Sequence, residues 1–503
     1  MRRTRLFFSL CLGLILLFLA GCGQTSVSSN TPSPNAGVPV SLSITDQPPN
    51  GVTVLFFQVG LTAASLTPAS GSTSVSLLND NTPIQVDVTQ LQAISAFLSA
   101  ANVPAGTYNN LSLTFANPTL VIFNASDQAL ASTCALNTVC QLTPSIDNSS
   151  TVTFSSAPFP LSVANSAPLG LLIDFHLNNV IQSDLSVNLG VTNGVTVNQL
   201  PPFPPFGPPQ FGFLSGTVQS VNSSQNQFTL QTLFGRTFTV DVNSSTTYDS
   251  FPTSVCAAGA FSCLASGQVV TVQVASVQTD GTLLAAEVSY IQAAAQQVVQ
   301  GNVIGLNTSN GSTVMTLVLH WCPPGDGNLP FGGMASVTVP NSATFSVDSG
   351  SFTIPAGLSF ASASDLLVGQ EVQVDVAAGS VSSSSNPAHW APPSVSFTAN
   401  SVELEPSQIT GTVTTINSSA SSFTITTFPN FFAPWFNPNW TPTQITVDTT
   451  SQTTYPGLST GSFSGVTDDS VVSGLGWLFA TPSGSTPSTM VAKTVLEQPN
   501  GFF

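Results

Sequence analysis

One pattern of short strands recurs three times along this chain and leaves few folds open to it. Leu214-Ser-Gly216-Thr-Val218 returns as Val299-Gln-Gly301-Asn-Val303 and again as Ile409-Thr-Gly411-Thr-Val413. Each copy turns into a second strand, Phe228-Thr-Leu230, Met315-Thr-Leu317 or Phe423-Thr-Ile425. A third strand ends in a Thr/Ser-rich turn and an aromatic: Val240 to Tyr248, Val337 to Phe345, Ile445 to Tyr455. A glycine then announces a fourth strand, at Gly267, Gly369 and Gly474, and a short fifth closes each unit at Ala286-Glu-Val288, Ala399-Asn-Ser-Val402 and Ala492-Lys-Thr-Val495. Self-similarity at a steady period marks a repeat architecture. Five strands without a helix hide their edges best by closing, so three small antiparallel barrels are expected, over residues 214–292, 293–405 and 406–503.

The same period-two alternation continues upstream, in Ser41-Leu-Ser-Ile44 and Thr151-Val-Thr-Phe154, as it does inside the first repeat at Phe238-Thr-Val-Asp-Val242. Alternation of this kind describes half-buried strands, and the fold class is all-β. Two stretches read as helix instead. Leu91, Ile94, Phe97 and Leu98 fall on one helical face of Val88 to Ala101, and a weaker signal covers Ala293 to Val298. Residues 38–197 form an N-terminal domain, and a Pro/Phe-rich linker, 198–213, joins it to the repeats as a stiff, extended spacer.

The three copies resemble a bacterial envelope family, the domain of unknown function five-six-six-six, through their strand and glycine pattern, most loosely in the third. The N-terminal domain resembles another, four-three-eight-two, through Leu42-Ser-Ile44-Thr-Asp46-Gln-Pro48, Val86-Asp87-Val88, Val103-Pro-Ala-Gly106-Thr-Tyr108, Leu111-Ser-Leu113 and Leu172-Ile-Asp174-Phe175. The resemblance implies a β-sandwich of the transthyretin-like kind followed by OB-like barrels, and brings neither an activity nor catalytic residues.

The first 22 residues carry an address. Met1-Arg-Arg-Thr-Arg5 is basic, Leu6 to Phe18 is apolar, and Leu19-Ala-Gly-Cys22 follows. That order describes a signal peptide, and about 15 apolar residues are short for a spanning helix. The Leu-Ala-Gly-Cys box resembles the site cut by lipoprotein signal peptidase. It implies that Cys22 becomes the diacylglyceryl-modified, N-acylated first residue, which Gly23 and a flexible tether, 23–37, follow. Gly23 favours an outer-membrane destination by the same resemblance.

Charge excludes several partners. Charged residues are 5% of the chain, against about 25% in ordinary domains. Past Cys22 only Arg236 and Lys493 oppose 22 acids. Nucleic acid needs basic side chains against its phosphates, and anionic lipid needs them too, so the membrane link is the lipid itself. Stability must come from buried Val, Ile, Leu and Phe.

Cys134 with Cys140, and Cys256 with Cys263, bracket short loops and read as local disulfides of an oxidising compartment, leaving Cys322 over. His320-Trp-Cys322 and His389-Trp390 lie in two insertions of the second repeat; loop histidines beside packing tryptophans are the plainer reading against a His2Cys metal site. Asp46, Asp87 and Asp174 read as turn-capping residues in preference to calcium ligands. Gly457-Leu-Ser-Thr-Gly461 matches a nucleophile elbow, but no histidine follows it. No catalytic residue, metal or cofactor is therefore expected. The aromatic insertion 428–440, with Trp435, Phe436 and Trp440, offers flat rings to a glycan or an envelope protein. The expectation is a lipid-anchored envelope protein, a non-catalytic binding, adhesion or scaffold module, or else a carbohydrate-binding accessory using that loop.

Overall fold

The computed structural model describes residues 38–497 apart from 48–52, 72, 79–82, 92–95, 125–133, 136–137, 165–168, 201–211, 233–234, 252–259, 293–296, 310–311, 322–331, 384–394, 427–443, 457, 459 and 481–487. The chain is all-β, and Gly37–Phe503 forms one compact unit.

The N-terminal domain contributes β1 (Val38–Gln47), β2 (Thr53–Pro68), β3 (Val75–Ser76), β4 (Ile84–Asp87), β5 (Ala96–Val103), β6 (Gly106–Phe123), β7 (Val139–Leu142), β8 (Thr151–Phe154), β9 (Leu161–Val163), β10 (Leu169–His176) and β11 (Val195–Leu200). One sheet runs β11-β10-β1-β5; the other gathers β3, β4, β7, β8 and β9 around the long β2-β6 pair. Their inner faces share a core that includes Phe57, Leu113, Phe115, Ile173 and Phe175, the two-layer arrangement of a sandwich.

The helix expected over Val88 to Ala101 does not form. Val88–Leu91 is a single 3-10 turn and Ala96–Val103 is a strand. The reason is burial on both faces: Leu98, Ala101 and Val103 enter the sandwich core, while Phe97 and Ala100 enter the core of the first barrel. A strand covered on both sides loses its alternation and imitates a helical stripe. Of the weaker helical stretch, residues 293–296 lie outside the described residues and Val298 opens a strand.

The first barrel comprises β12 (Phe213–Asn222), β13 (Gln227–Thr232), β14 (Thr237–Asp241), β15 (Thr247–Asp249), β16 (Val269–Val277) and β17 (Leu283–Gln292). The second has β18 (Val298–Ser309), β19 (Ser312–Trp321), β20 (Met334–Val339), β21 (Thr344–Val347), β22 (Glu371–Val376), β23 (Ser382–Ser383) and β24 (Val395–Glu405). The third has β25 (Ser407–Asn417), β26 (Ser422–Thr426), β27 (Ile445–Asp448), β28 (Val471–Phe479) and β29 (Ser488–Glu497).

All three close in the same order. The rings are β12-β13-β14-β17-β16, β18-β19-β20-β24-β22 and β25-β26-β27-β29-β28. They are antiparallel except where the third strand meets the last, at β14-β17, β20-β24 and β27-β29, which are parallel. A ring with an odd number of strands cannot alternate direction throughout, so one parallel seam is forced by the strand count.

The repeated glycine of the first strand has a packing reason. A Cβ on Gly216, Gly301 or Gly411 would lie 2.3 Å from Gln231 O, 2.3 Å from Val318 O and 2.6 Å from Thr426 O. The second recurring glycine is a backbone device: Gly267 and Gly369, at φ of 89° and 93°, donate to Val218 O and Val303 O. In the third barrel the residue that donates to the matching Val413 O is Asp469, at φ 63°. Gly474, expected in that role, lies inside β28 instead. Asp is one of the few side chains that tolerate a left-handed backbone.

The units are not separate beads. The sandwich touches every barrel: Arg236 Nη1 donates to Leu98 O at 3.0 Å, His320 Nδ1 lies 2.6 Å from Asp87 Oδ2, and Gln408 Nε2 donates to Gln90 O. Phe56 and Phe123 of the sandwich enter the core of the third barrel. Trp477, Phe479 and Val491 of the third barrel enter the core of the second.

Candidate functional site

Of the residues singled out in the sequence, Cys22, Cys256, Cys322, His389, Trp435, Phe436 and Trp440 lie outside the described residues. Cys134 and Cys140 are disulfide-bonded, with Cα atoms 5.5 Å apart. The bridge is buried beside Asn124, whose Nδ2 donates to Cys134 O and Ala135 O, each at 3.1 Å. Cys263 is also disulfide-bonded. Asp87 and Asp174 are held in two different pairs, and no group of three metal-ligating side chains occurs among the described residues.

The Asp174 pair opens onto a cleft of about 1000 Å³ in the sandwich. One wall is β8 with the turn 155–157; the other is the end of β10, the helical turn Leu177–Val180, residues 192–193 and the edge strand β11. Strand alternation decides which side chains face it. Ile173, Phe175, Val195 and Val197 are buried in the core, so Asp174 and His176, with Thr196 and Asn198 on the neighbouring strand, take the other face. Asp174 Oδ2 and His176 Nε2 are 3.7 Å apart. Burial raises the Asp174 carboxyl above its ordinary value, and His176 opposes the rise. Two hydrogen bonds fix the far wall: the backbone N of His176 donates to Gly194 O at 2.8 Å, and the side-chain Nδ2 of Asn179 donates to Asn193 O at 3.1 Å. Asn178 Oδ1 is buried there without a hydrogen-bond partner.

A second cluster lies where β4 of the sandwich meets the second barrel. His320, expected on a loop, stands in β19 with its ring 6.0 Å from that of Phe56. Its hydrogen-bond partner Asp87 also accepts from Thr89 N at 3.1 Å and Thr89 Oγ1 at 2.5 Å. Glu371 completes the group from β22, its own amide donating to Ser407 Oγ at 2.8 Å. Burial pulls the imidazole down, but the carboxylates of Asp87 and Glu371 outweigh it and His320 is raised. Burial pushes Glu371 up to about 7, against the pull of His320. The group sets one imidazole against two carboxyl groups in a buried interface, an arrangement that is costly unless the charges are paired.

The comparisons with known families come to rest on this architecture. Residues 38–192 match the model of a domain of unknown function, DUF4382. Residues 215–289 match that of a second, DUF5666. No curated protein matches the chain.

The β8 and β10 walls of the cleft fall within the DUF4382 match, while Asn193 and the edge strand β11 lie past its end at residue 192; the buried His320 group joins the matched segment to the barrel after the DUF5666 match. Sequence reading singled out His320, Asp87 and Asp174 but brought them into neither of these groups. Asp87 and His320 are 233 residues apart, and the one available signal was a histidine ending the apolar run Leu317-Val-Leu-His320, which needs a buried partner. For the cleft the signal was a density of amides between Asn178 and Asn198.

Proposed function

We propose that this chain is a lipid-anchored cell-envelope protein, acylated at Cys22, that acts without catalysis as a binding module. The observation that carries the reading is the open polar cleft of the N-terminal sandwich, of a size typical for small-molecule sites and set between walls fixed by strand pairing and backbone hydrogen bonds. Three further features support it. The Leu19-Ala-Gly-Cys22 box supplies an anchor, the Cys134–Cys140 bridge suits an oxidising compartment, and the near absence of basic residues removes nucleic acid from the partners. The lipobox and Gly23 support an outer-membrane destination for it. The alternative surface for the same role is the aromatic insertion with Trp435, Phe436 and Trp440, which would make the chain a carbohydrate-binding accessory.

Two measurements test this. Labelled palmitate should enter the wild-type chain and not Cys22→Ser; equal labelling of both removes the anchor. Soluble chain from Gly23 onward, immobilised and exposed to solubilised native envelopes, should retain an envelope protein or glycan. Eluates identical to those from blank resin would overturn the binding role in favour of a structural one. Replacing 428–440 by a short Gly-Ser turn separates the two surfaces.

A further inference from the structure

Resting on the binding-module reading, the chemistry of the sandwich cleft narrows its ligand. The cleft holds side-chain amides and hydroxyls in number and almost no formal charge. Asn178 and Asn179 stand on the helical turn, Thr196 and Asn198 on the edge strand, and Asp174 on the strand beside it. Asn is depleted in strands, so Asn198 is not there for strand formation. No Lys or Arg lines the cleft, which disfavours an anion; one carboxyl is too few to hold a divalent cation; and the polar face disfavours an apolar ligand. Each amide and each threonine hydroxyl can both donate and accept, the pattern that adjacent hydroxyls of a sugar ring require. On the opposite wall the half-buried ring of Phe154 supplies an apolar surface for the C–H face of such a ring.

We infer that the cleft between β8 and β10–β11 is a binding site for a neutral, hydroxyl-rich glycan, with Asp174, Asn178, Thr196 and Asn198 as its hydrogen-bonding side chains and Phe154 as its stacking surface. None of the residues that line the cleft belongs to the 428–440 insertion. Its volume of about 1000 Å³ is at the upper end for small-ligand sites and admits more than one sugar ring. The floor is pre-organised, because Asp174 pairs with Thr196 and Leu172 with Asn198 in the β10-β11 register.

The test uses the soluble chain 23–503 and a panel of neutral gluco-, manno-, xylo- and chito-oligosaccharides of two to six units, titrated calorimetrically and by saturation-transfer NMR. At least one series should bind. Asn198→Ala should weaken it tenfold or more with unchanged thermal unfolding, Asp174→Asn, which keeps the side chain's shape, should weaken it without loss of fold, and Phe154→Leu, which keeps an apolar side chain against the sandwich core, should weaken it by removing the ring. Replacement of 428–440 should leave it unaltered. The inference falls if no oligosaccharide binds at millimolar concentration, if the cleft variants bind as the wild type does, or if an extended peptide competes for the cleft and the sugars do not. Failure of the inference alone is recognised when native envelopes still yield a protein partner that the cleft variants retain equally; empty eluates together with silent titrations remove the binding-module reading as well.

Discussion

Asp469 sits at φ 63° where Gly267 and Gly369 serve the preceding barrels. Asp in that region costs more than glycine, about 1 kcal/mol. Asp469→Gly is therefore expected to raise stability by up to about 1 kcal/mol, and Gly267→Ala to lower it by at least as much, both measured by denaturant unfolding. The buried trio gives a prediction of a different kind. Glu371 is raised from an ordinary value of 4.5 to about 7, and His320 is raised as well, so in both the folded state holds its proton longer than the unfolded state does. The Glu371 contribution is whole below about 4.5 and is lost between about 4.5 and 7, because burial opposes its ionisation, and that of His320 is lost as pH rises through its raised value. Thermal unfolding followed from pH 5 to 8 should show stability falling, and Glu371→Gln should flatten that fall by an amount on the order of 3 kcal/mol. His320→Ala, which strands Asp87 in the interface, should cost about 3 to 5 kcal/mol at pH 6. An unchanged profile in Glu371→Gln would remove this assignment. None of this was legible in the sequence, because a hydrogen bond across 233 residues leaves no local pattern; only the oddity of a histidine in an apolar strand hinted at it.

At the scale of elements, legibility followed the side-chain period. Where one face of a strand is solvated, as in Thr151–Phe154 with its alternating exposed and half-buried residues, the alternation was readable. Where both faces are covered, as in Ala96–Val103, it vanished and a helix was expected in its place. The parallel seams were readable in principle from an odd strand count, but which strands meet there depends on the path of the closing strand. The first-strand glycines were legible as a motif, though their cause was not. Because Gly301 leaves only 2.3 Å between a Cβ and Val318 O, Gly301→Ala must push β18 off β19. A loss of about 2 kcal/mol or more is expected in denaturant unfolding, beyond the usual surface range. The Cys134–Cys140 loop is short, with a sequence separation of 6, so reducing it, or Cys134→Ser with Cys140→Ser, should cost about 2 kcal/mol on the chain-entropy account.

For the molecule as a whole, six buried or half-buried carboxyls, Asp174, Asp348, Glu371, Glu403, Glu405 and Asp448, are raised in the first place by burial. Asp184 and Asp280, held down by hydrogen bonds from Ser186 and Thr282, work the other way but are exposed and screened. In the folded state burial thus makes these six carboxyls hold their protons to higher pH than in the unfolded chain. What the sequence hid was the sharing of cores. Trp477 packs at 5.0 Å on Phe352 and donates Nε1–H to Asp348 O at 2.8 Å, so the second barrel borrows part of its interior from the third. Deleting residues 406–503 should lower the unfolding temperature of what remains, and the intact chain should melt in fewer transitions than it has units; four independent calorimetric peaks would contradict this. A timing rule follows from the same borrowing. Each ring is completed by its last strand, and the second barrel's interior is completed only by strands that lie up to 86 residues beyond its own final strand, at Val491. In a chain delivered amino-terminus first, the second barrel waits half-lined for its successor, and damage near the carboxyl end is felt one unit upstream.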